Sequence, residues 1–152
     1  MTIKVGDKLP NATIREFIEV EGNGCSIGPN AFQVADLVKG KRIVIFGLPG
    51  AYTPTCSVQH VPGYVKHYDA LKAKGVDEIW CVSVNDAFVM GAWGRDELTR
   101  ALGLELDLTR GGLGIRSQRY AMLVDDGVVK SLDVEAAGKF EVSGAEPMLA
   151  RL

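Results

Sequence analysis

An α/β domain whose central sheet is covered by helices is what this sequence predicts, and three observations carry the prediction. Residues 42–48 read Arg-Ile-Val-Ile-Phe-Gly-Leu and residues 78–84 read Glu-Ile-Trp-Cys-Val-Ser-Val, two apolar runs of strand length. Strands of that kind are buried on both faces, which requires helices on both sides of their sheet. A stretch of helical periodicity separates the two, so strand and helix alternate. The chain has 152 residues, and a domain of that size buries about 70% of the surface its unfolded chain exposes. No repeat, low-complexity tract or linker divides it, so 1–152 reads as one domain.

Each element has a local reason. Residues 13–21 alternate loosely and suit a strand or hairpin arm, followed by the turn Gly22-Asn23-Gly24. Residues 32–39 suit a short helix, with Val34, Leu37 and Val38 on one side and Gly40 as the stop. After the first apolar strand, the chain turns through Pro49-Gly50-Ala51-Tyr52. Thr53 then serves as N-cap and Pro54 as the first helical residue. That helix is predicted to run toward Ala73, burying Val58, Val61, Val65, Tyr68 and Leu71, with a kink at Pro62. The second strand, 78–84, leads to a cap at Asn85 or Asp86 and a helix bearing Phe88, Val89, Ala92 and Trp93. Residues 96–102 suit another helix, stopped by Gly103. Residues 120–124 and 128–132 flank Asp125-Asp126-Gly127, a hairpin signal. Ser143-Gly144-Ala145-Glu146 reads as a capping box opening a last helix, docked by Leu149 and Leu152.

Composition excludes several functions. The chain is 47% hydrophobic and 24% charged, ordinary for a packed domain and wrong for a disordered one. A net charge of -2 gives no electrostatic footprint for nucleic acid or for an anionic membrane. The apolar run 43–52 contains Gly47, Pro49 and Gly50 and falls well short of the roughly 20 residues a bilayer span needs. Residues 1–10 carry Lys4, Asp7 and Lys8 and lack the apolar core of a secretory signal. Three cysteines are an odd count and too few for a disulfide scaffold, which favours a reducing compartment, read as the cytoplasm.

Few residues carry reactive chemistry. Cys56 falls at the third helical position after Thr53, where orphan amides and the helix dipole favour a thiolate over a thiol. The same position also suits a small buried residue in a strand-to-helix turn. Cys81 lies mid-strand, as a core thiol or as a disulfide partner of Cys56 if their Cα atoms approach within about 7 Å. Cys25, after the Gly22-Asn23-Gly24 turn, reads as a loop residue. His60 shares a helix face with Cys56, as a packed ring or as the base of a Cys-His dyad. With His67 it matches no zinc spacing, so neither metal nor cofactor is expected. Gly111-Gly112-Leu113-Gly114 lacks the strand, helix and Gly-Lys-Ser/Thr of a phosphate loop. Arg110, Arg116 and Arg119 approach the strand at Tyr120, where a guanidinium could face an oxyanion or a thiolate.

Residues 49–57, Pro-Gly-Ala-Tyr-Thr-Pro-Thr-Cys-Ser, contain Pro-x-x-x-Thr-x-x-Cys, the pattern of the peroxiredoxins. The continuation Val58-Gln59-His60-Val61-Pro62-Gly63-Tyr64 narrows the resemblance, as do Cys81-Val82-Ser83-Val84-Asn85-Asp86 and Arg116-Ser117-Gln118-Arg119-Tyr120. Nearly the whole chain resembles the type II, or atypical two-cysteine, subfamily. The resemblance implies a thioredoxin-like fold with an N-terminal extension. It implies a thiol-dependent peroxidase acting on hydrogen peroxide and small organic hydroperoxides through a cysteine sulfenic acid. Cys56 resembles the peroxidatic cysteine, Pro49 the residue shielding it, Thr53 the hydroxyl that organises the peroxide, and Arg119 the arginine that holds the thiolate. His60 falls in a family motif as a supporting residue, and Cys81 matches the resolving cysteine of plant-type members. Members of this kind are recycled by glutaredoxin with glutathione or by thioredoxin, and commonly form homodimers.

One departure stands out. Between positions 94 and 99, about 15 residues of the family pattern are absent, including a strand whose loss would leave neighbouring backbone groups exposed. That cost favours a segment missing from the sequence as written over a true loss. Two other functions fit parts of the chain, a peroxide sensor without turnover and a Cys56-His60 hydrolase or transferase.

Overall fold

The computed structural model describes residues 2–16, 30–85, 89, 102 and 104–152. The turn at 22–24, Cys25, both helices expected within 86–102 and the departure at 94–99 lie outside the described residues, apart from helical Val89 and Leu102. In chain order, β1 (Thr13–Glu16) pairs antiparallel with β2 (Asn30–Gln33), which passes directly into the single turn α1 (Val34–Leu37). Then come β3 (Arg42–Gly47), a wide helical turn at Cys56–His60, α2 (Val61–Lys66), α3 (Tyr68–Ala73) and β4 (Glu78–Val82). The described remainder holds β5 (Glu105–Leu108), β6 (Gly114–Ser117), β7 (Tyr120–Asp125), β8 (Val128–Val134) and α4 (Ala145–Arg151).

The central sheet runs β4-β3-β7-β8. β3 pairs parallel with β4 and antiparallel with β7, and β7 pairs antiparallel with β8, so the sheet is mixed. Alternation along β3 divides the core in two. Ile43 and Ile45 pack with Tyr120, Met122 and Val124 beneath Ile3, Leu9, Val34 and Val38. Val44 and Phe46 face the other way, with Ala121 and Leu123, under Tyr64 of α2, Leu71 of α3 and Met148 of α4. Burying one such aliphatic side chain contributes about 1.5–3 kcal/mol. The N-terminal extension covers the far edge. Gly6 and Leu9 amides donate to Val129 and Gly127 carbonyls at 2.9 and 2.8 Å, and the Val129 amide returns a bond to Asp7 at 2.9 Å. An edge strand so covered offers less template for pairing with another chain.

The hairpin at Asp126-Gly127 matches the sequence reading. Asp125 pairs with Val128, and the two residues between have φ of 46° and 76°, as a type I′ turn requires. The long helix expected from Pro54 to Ala73 is instead three pieces. The Val61 amide reaches back five residues to the Cys56 carbonyl, a π-type bond. Pro62 sits in the first turn of α2, where its missing N–H costs nothing, and a second break falls at His67. The widened turn changes the phase of the helix, so Tyr64 and Leu71 are buried while Val58, Val65 and Tyr68 are exposed. The β5–β6 hairpin was not foreseen. It absorbs the glycine cluster, with Gly112 and Gly114 at φ of 75° and 69°, which explains that cluster without a ligand.

Candidate active site

The end of β3 positions the reactive sulfur. Leu48 stays buried and donates its amide to Val82 at 3.0 Å, so the chain leaves the sheet only at the bend containing half-buried Pro49. The loop is then tied to the end of β4. Asn85 Oδ1 accepts from the Ala51 amide at 2.9 Å and from the Ser83 hydroxyl at 2.8 Å. Thr53 occupies the backbone position of an N-cap, because its carbonyl accepts from the Ser57 amide at 3.0 Å. Its hydroxyl does not cap the helix. It donates to the Gly50 carbonyl at 2.9 Å, which orients the oxygen lone pairs and clamps the loop. Cys56, three residues on, is fully buried.

Arg119 reaches this sulfur because of strand register. Tyr120 opens β7 opposite Gly47, which places residue 119 beside the segment where β3 gives way to the loop. Arg119 Nη2 donates to Cys56 Sγ at 3.4 Å, while Nη1 lies 3.0 Å from His60 Nδ1. Its guanidinium carbon also lies 5.6 Å from the centre of the Phe140 ring, a cation-π distance. Of the other arginines considered, Arg110 is exposed and Arg116 donates to the Leu113 carbonyl at 2.6 Å, with Nη1 near Gly50.

His60 is fully buried among Phe46, Tyr64 and Phe140. Its Nε2 lies 3.0 Å from the Ser143 carbonyl, an acceptor, so the proton belongs there and Nδ1 accepts from Arg119. Burial, followed by the Arg119 charge, lowers its pKa from 6.5 to about 4. With both nitrogens engaged, no ring atom is left to take a proton from Cys56, which removes the basis for a Cys-His dyad. His67 stands apart, 3.5 Å from Glu146.

Cys81 is half-buried in β4 opposite Phe46, and no disulfide joins it to Cys56. No group of metal-ligating side chains occurs among the described residues, and no described helix is long and apolar enough to cross a membrane.

Glu135 escaped the sequence reading, and Ser143 was read only as a helix cap. The expected capping box does not form. Gly144 is the N-cap of α4, and the Ser143 hydroxyl is buried, donating to Glu135 Oε1 at 2.9 Å. The same oxygen accepts from the amides of Glu141, Val142 and Ser143 at 2.8, 2.7 and 2.8 Å. Burial pushes the Glu135 carboxyl up, and the bonds from Ser143, Val142 and Glu141 more than reverse this, leaving it below the ordinary glutamate range.

Residues 4–149 match the family described as Redoxin. Peroxiredoxin-2E-2, chloroplastic, of Oryza sativa subsp. japonica is 50% identical over 169 aligned residues, covering 99% of this chain and 73% of the rice protein. Peroxiredoxin-2B of Arabidopsis thaliana is 46% identical over 165, covering 99% of this chain and 98% of its own length. The chain belongs to the type II peroxiredoxins. A crystal structure described as reduced Prx3 in complex with H2O2 from Vibrio vulnificus superposes with a TM-score of 0.89 at 48% identity, covering 99% of each chain. The fold of this peroxiredoxin is thioredoxin-like, and the N-terminal segment along β8 is its extension.

Proposed function

We propose that Cys56 is the peroxidatic sulfur of this thiol-dependent peroxidase, with Arg119, Thr53 and Pro49 completing the site. The observation that carries the assignment is the Arg119 guanidinium, which donates to Cys56 Sγ with one nitrogen while the other is held by neutral His60. A fixed cation stands beside the buried sulfur, and it remains in place as charge moves onto peroxide oxygen. The thiolate lone pair forms an S–O bond to the terminal peroxide oxygen as the O–O bond breaks. Sulfur is oxidised by two electrons to the sulfenic acid, and the departing oxygen takes from solvent a proton equivalent to the one the thiol released on ionising, leaving as water or an alcohol. Thr53 presents its oxygen lone pairs to the peroxide proton, since its own hydrogen is committed to Gly50. Pro49 shields the sulfur from the loop side. The substrates are hydrogen peroxide and small organic hydroperoxides, and the compartment is the cytoplasm, a reading that rests on cysteine usage alone.

Recycling runs through an external thiol, glutathione with glutaredoxin ahead of thioredoxin. Cys81 is half-buried in β4 opposite Phe46 and has no disulfide to Cys56, although both pack in one core cluster. A disulfide needs Cα atoms within about 7 Å. Intact mass after one equivalent of hydrogen peroxide tests both points, with Cys56→Ser as control. Gain of one oxygen at Cys56, discharged by glutathione, is expected. Loss of two hydrogens that disappears in a Cys81→Ser variant would make Cys81 the resolving cysteine, and unchanged mass with peroxide remaining would overturn the peroxidatic role.

Two further readings accompany the site. The protein is a homodimer joined near the active-site loop, where Tyr52 and Val58 are 65% and 72% exposed beside the buried sulfur. A Val58→Glu variant should sediment as a monomer under conditions where the parent does not. The domain spans 1–152, and about 15 residues of the family pattern are missing from the sequence as written between 94 and 99. Alignments of 165–169 positions against a chain of 152 residues support this, because the relatives then carry residues this chain does not.

A further inference from the structure

We propose that Glu135, outside the reacting shell, is a positioning residue for Cys56, acting through Ser143, His60 and Arg119 in turn; the proposal rests on the site assigned above. Glu135 follows β8, and its amide donates to the Arg119 carbonyl at 2.9 Å, so its backbone is fastened to the residue that bears the guanidinium. Its side chain is 9% exposed and turns inward, where Oε1 gathers the three successive amides of residues 141–143 and the Ser143 hydroxyl. A carboxylate oxygen satisfied four times over holds that loop more firmly than neutral acceptors would. Ser143, fully buried, is thereby fixed with its carbonyl facing inward, where it accepts from His60 Nε2 at 3.0 Å and from the Tyr64 hydroxyl at 2.9 Å.

The carbonyl decides which nitrogen of His60 bears the proton. Facing an acceptor, Nε2 carries the hydrogen and leaves Nδ1 as a bare lone pair, which receives Arg119 Nη1 at 3.0 Å. If the Ser143 carbonyl swings away, nothing holds that tautomer. A hydrogen on Nδ1 would then meet the Arg119 N–H groups donor to donor, and the guanidinium would leave the sulfur. A plain loop staple would shape the 135–143 segment without selecting a tautomer, and its loss would not propagate to Sγ. The distinction is measurable because the two possibilities combine differently with loss of Arg119.

The experiment is a double-mutant cycle of Glu135→Ala and Arg119→Ala. It is read by the rate of Cys56 oxidation with hydrogen peroxide, the rate of Cys56 alkylation by iodoacetamide at neutral pH, and thermal unfolding. Glu135→Ala alone is expected to slow both reactions about 10- to 100-fold, the scale of a catalytic group misplaced by about 1 Å. In the Arg119→Ala background it should add almost nothing, since the two residues act along one chain of contacts. Glu135→Gln keeps the shape and one acceptor oxygen, and should give a smaller loss of the same non-additive kind. Equal slowing with and without Arg119 would overturn the proposal, as would a lowered melting temperature with both rates unchanged. If Glu135→Ala does not fold, the Gln variant decides by the same criteria. If the parent protein alkylates at Cys56 yet consumes no peroxide, the peroxidatic assignment fails while the alkylation cycle still judges Glu135.

Discussion

Thr53 and Arg119 contact different parts of the chemistry, and single substitutions separate them. Arg119 donates directly to the sulfur, so its loss should slow every reaction of Cys56, whatever the electrophile. Thr53 commits its hydroxyl hydrogen to the Gly50 carbonyl, so its oxygen matters to the chemistry only when a peroxide is present. Thr53→Val should therefore reduce the peroxide rate about 100-fold, the usual consequence of removing one preorganised polar group. Alkylation of Cys56 by iodoacetamide should change little, and Thr53→Ser should restore most of the peroxide rate. Equal losses in both reactions would reduce Thr53 to a loop clamp. Cys56 was legible from its place in the first helical turn after an apolar strand, whereas Thr53 read as an N-cap there and took its role toward peroxide only from the family resemblance. By residue pattern alone Arg119 is one arginine of three; the family resemblance singles it out, and the β3–β7 register brings it to the loop. Glu135 left no trace in sequence, since its partners are mostly main-chain amides that any residue supplies.

At the level of elements, the site depends on how closely β3 and β7 approach at their open end. Gly47 faces Tyr120 across the ladder, and a methyl group on Gly47 would fall 2.0 Å from Tyr120 Cε1. The ring is fully buried and cannot swing into solvent. Gly47→Ala should therefore destabilise the fold by about 1–3 kcal/mol, as overpacking does. It should also slow Cys56 oxidation, because Arg119 is bonded directly to Tyr120; urea titration and a peroxide rate check the pair. An unchanged rate would mean that β7 shifts as a block without moving the guanidinium. Of the strands that could be read from sequence, β3, β4 and the β7–β8 hairpin have continuous apolar runs or an Asp-Gly turn, and β1 falls within the loosely alternating stretch 13–21. β5 and β6 were missed because each is four residues long with too few apolar positions to set a period. The last helix was found but its cap was misassigned, since the Ser143 hydroxyl donates to Glu135 instead of accepting from the helix amides.

For the molecule as a whole, the buried His60 links stability to pH. Burial and the Arg119 charge hold its folded pKa at about 4, against 6.5 in the unfolded chain. Above pH 6.5 neither state binds the proton, and the stability associated with a neutral ring is present in full. Between 6.5 and 4 the unfolded chain takes up a proton that the folded protein refuses, so stability falls as pH falls, and below 4 this contribution flattens. A shift of this size corresponds to something on the order of 3 kcal/mol. Glu135, whose folded pKa is lowered, acts in the same direction at lower pH. Its contribution is present above the ordinary glutamate value and is lost as pH falls through its folded value. His60→Gln separates the two, because an amide can still donate to Ser143 and accept from Arg119 but does not titrate. Urea unfolding of the parent protein should therefore lose much more stability between pH 6.5 and 4 than the variant does. Parallel curves would mean that His60 is already neutral in the unfolded chain across this range, or that the folded ring accepts a proton and Arg119 moves aside to allow it. In the second case Cys56 oxidation would slow over the same interval, so rates measured beside the unfolding curves tell the two apart.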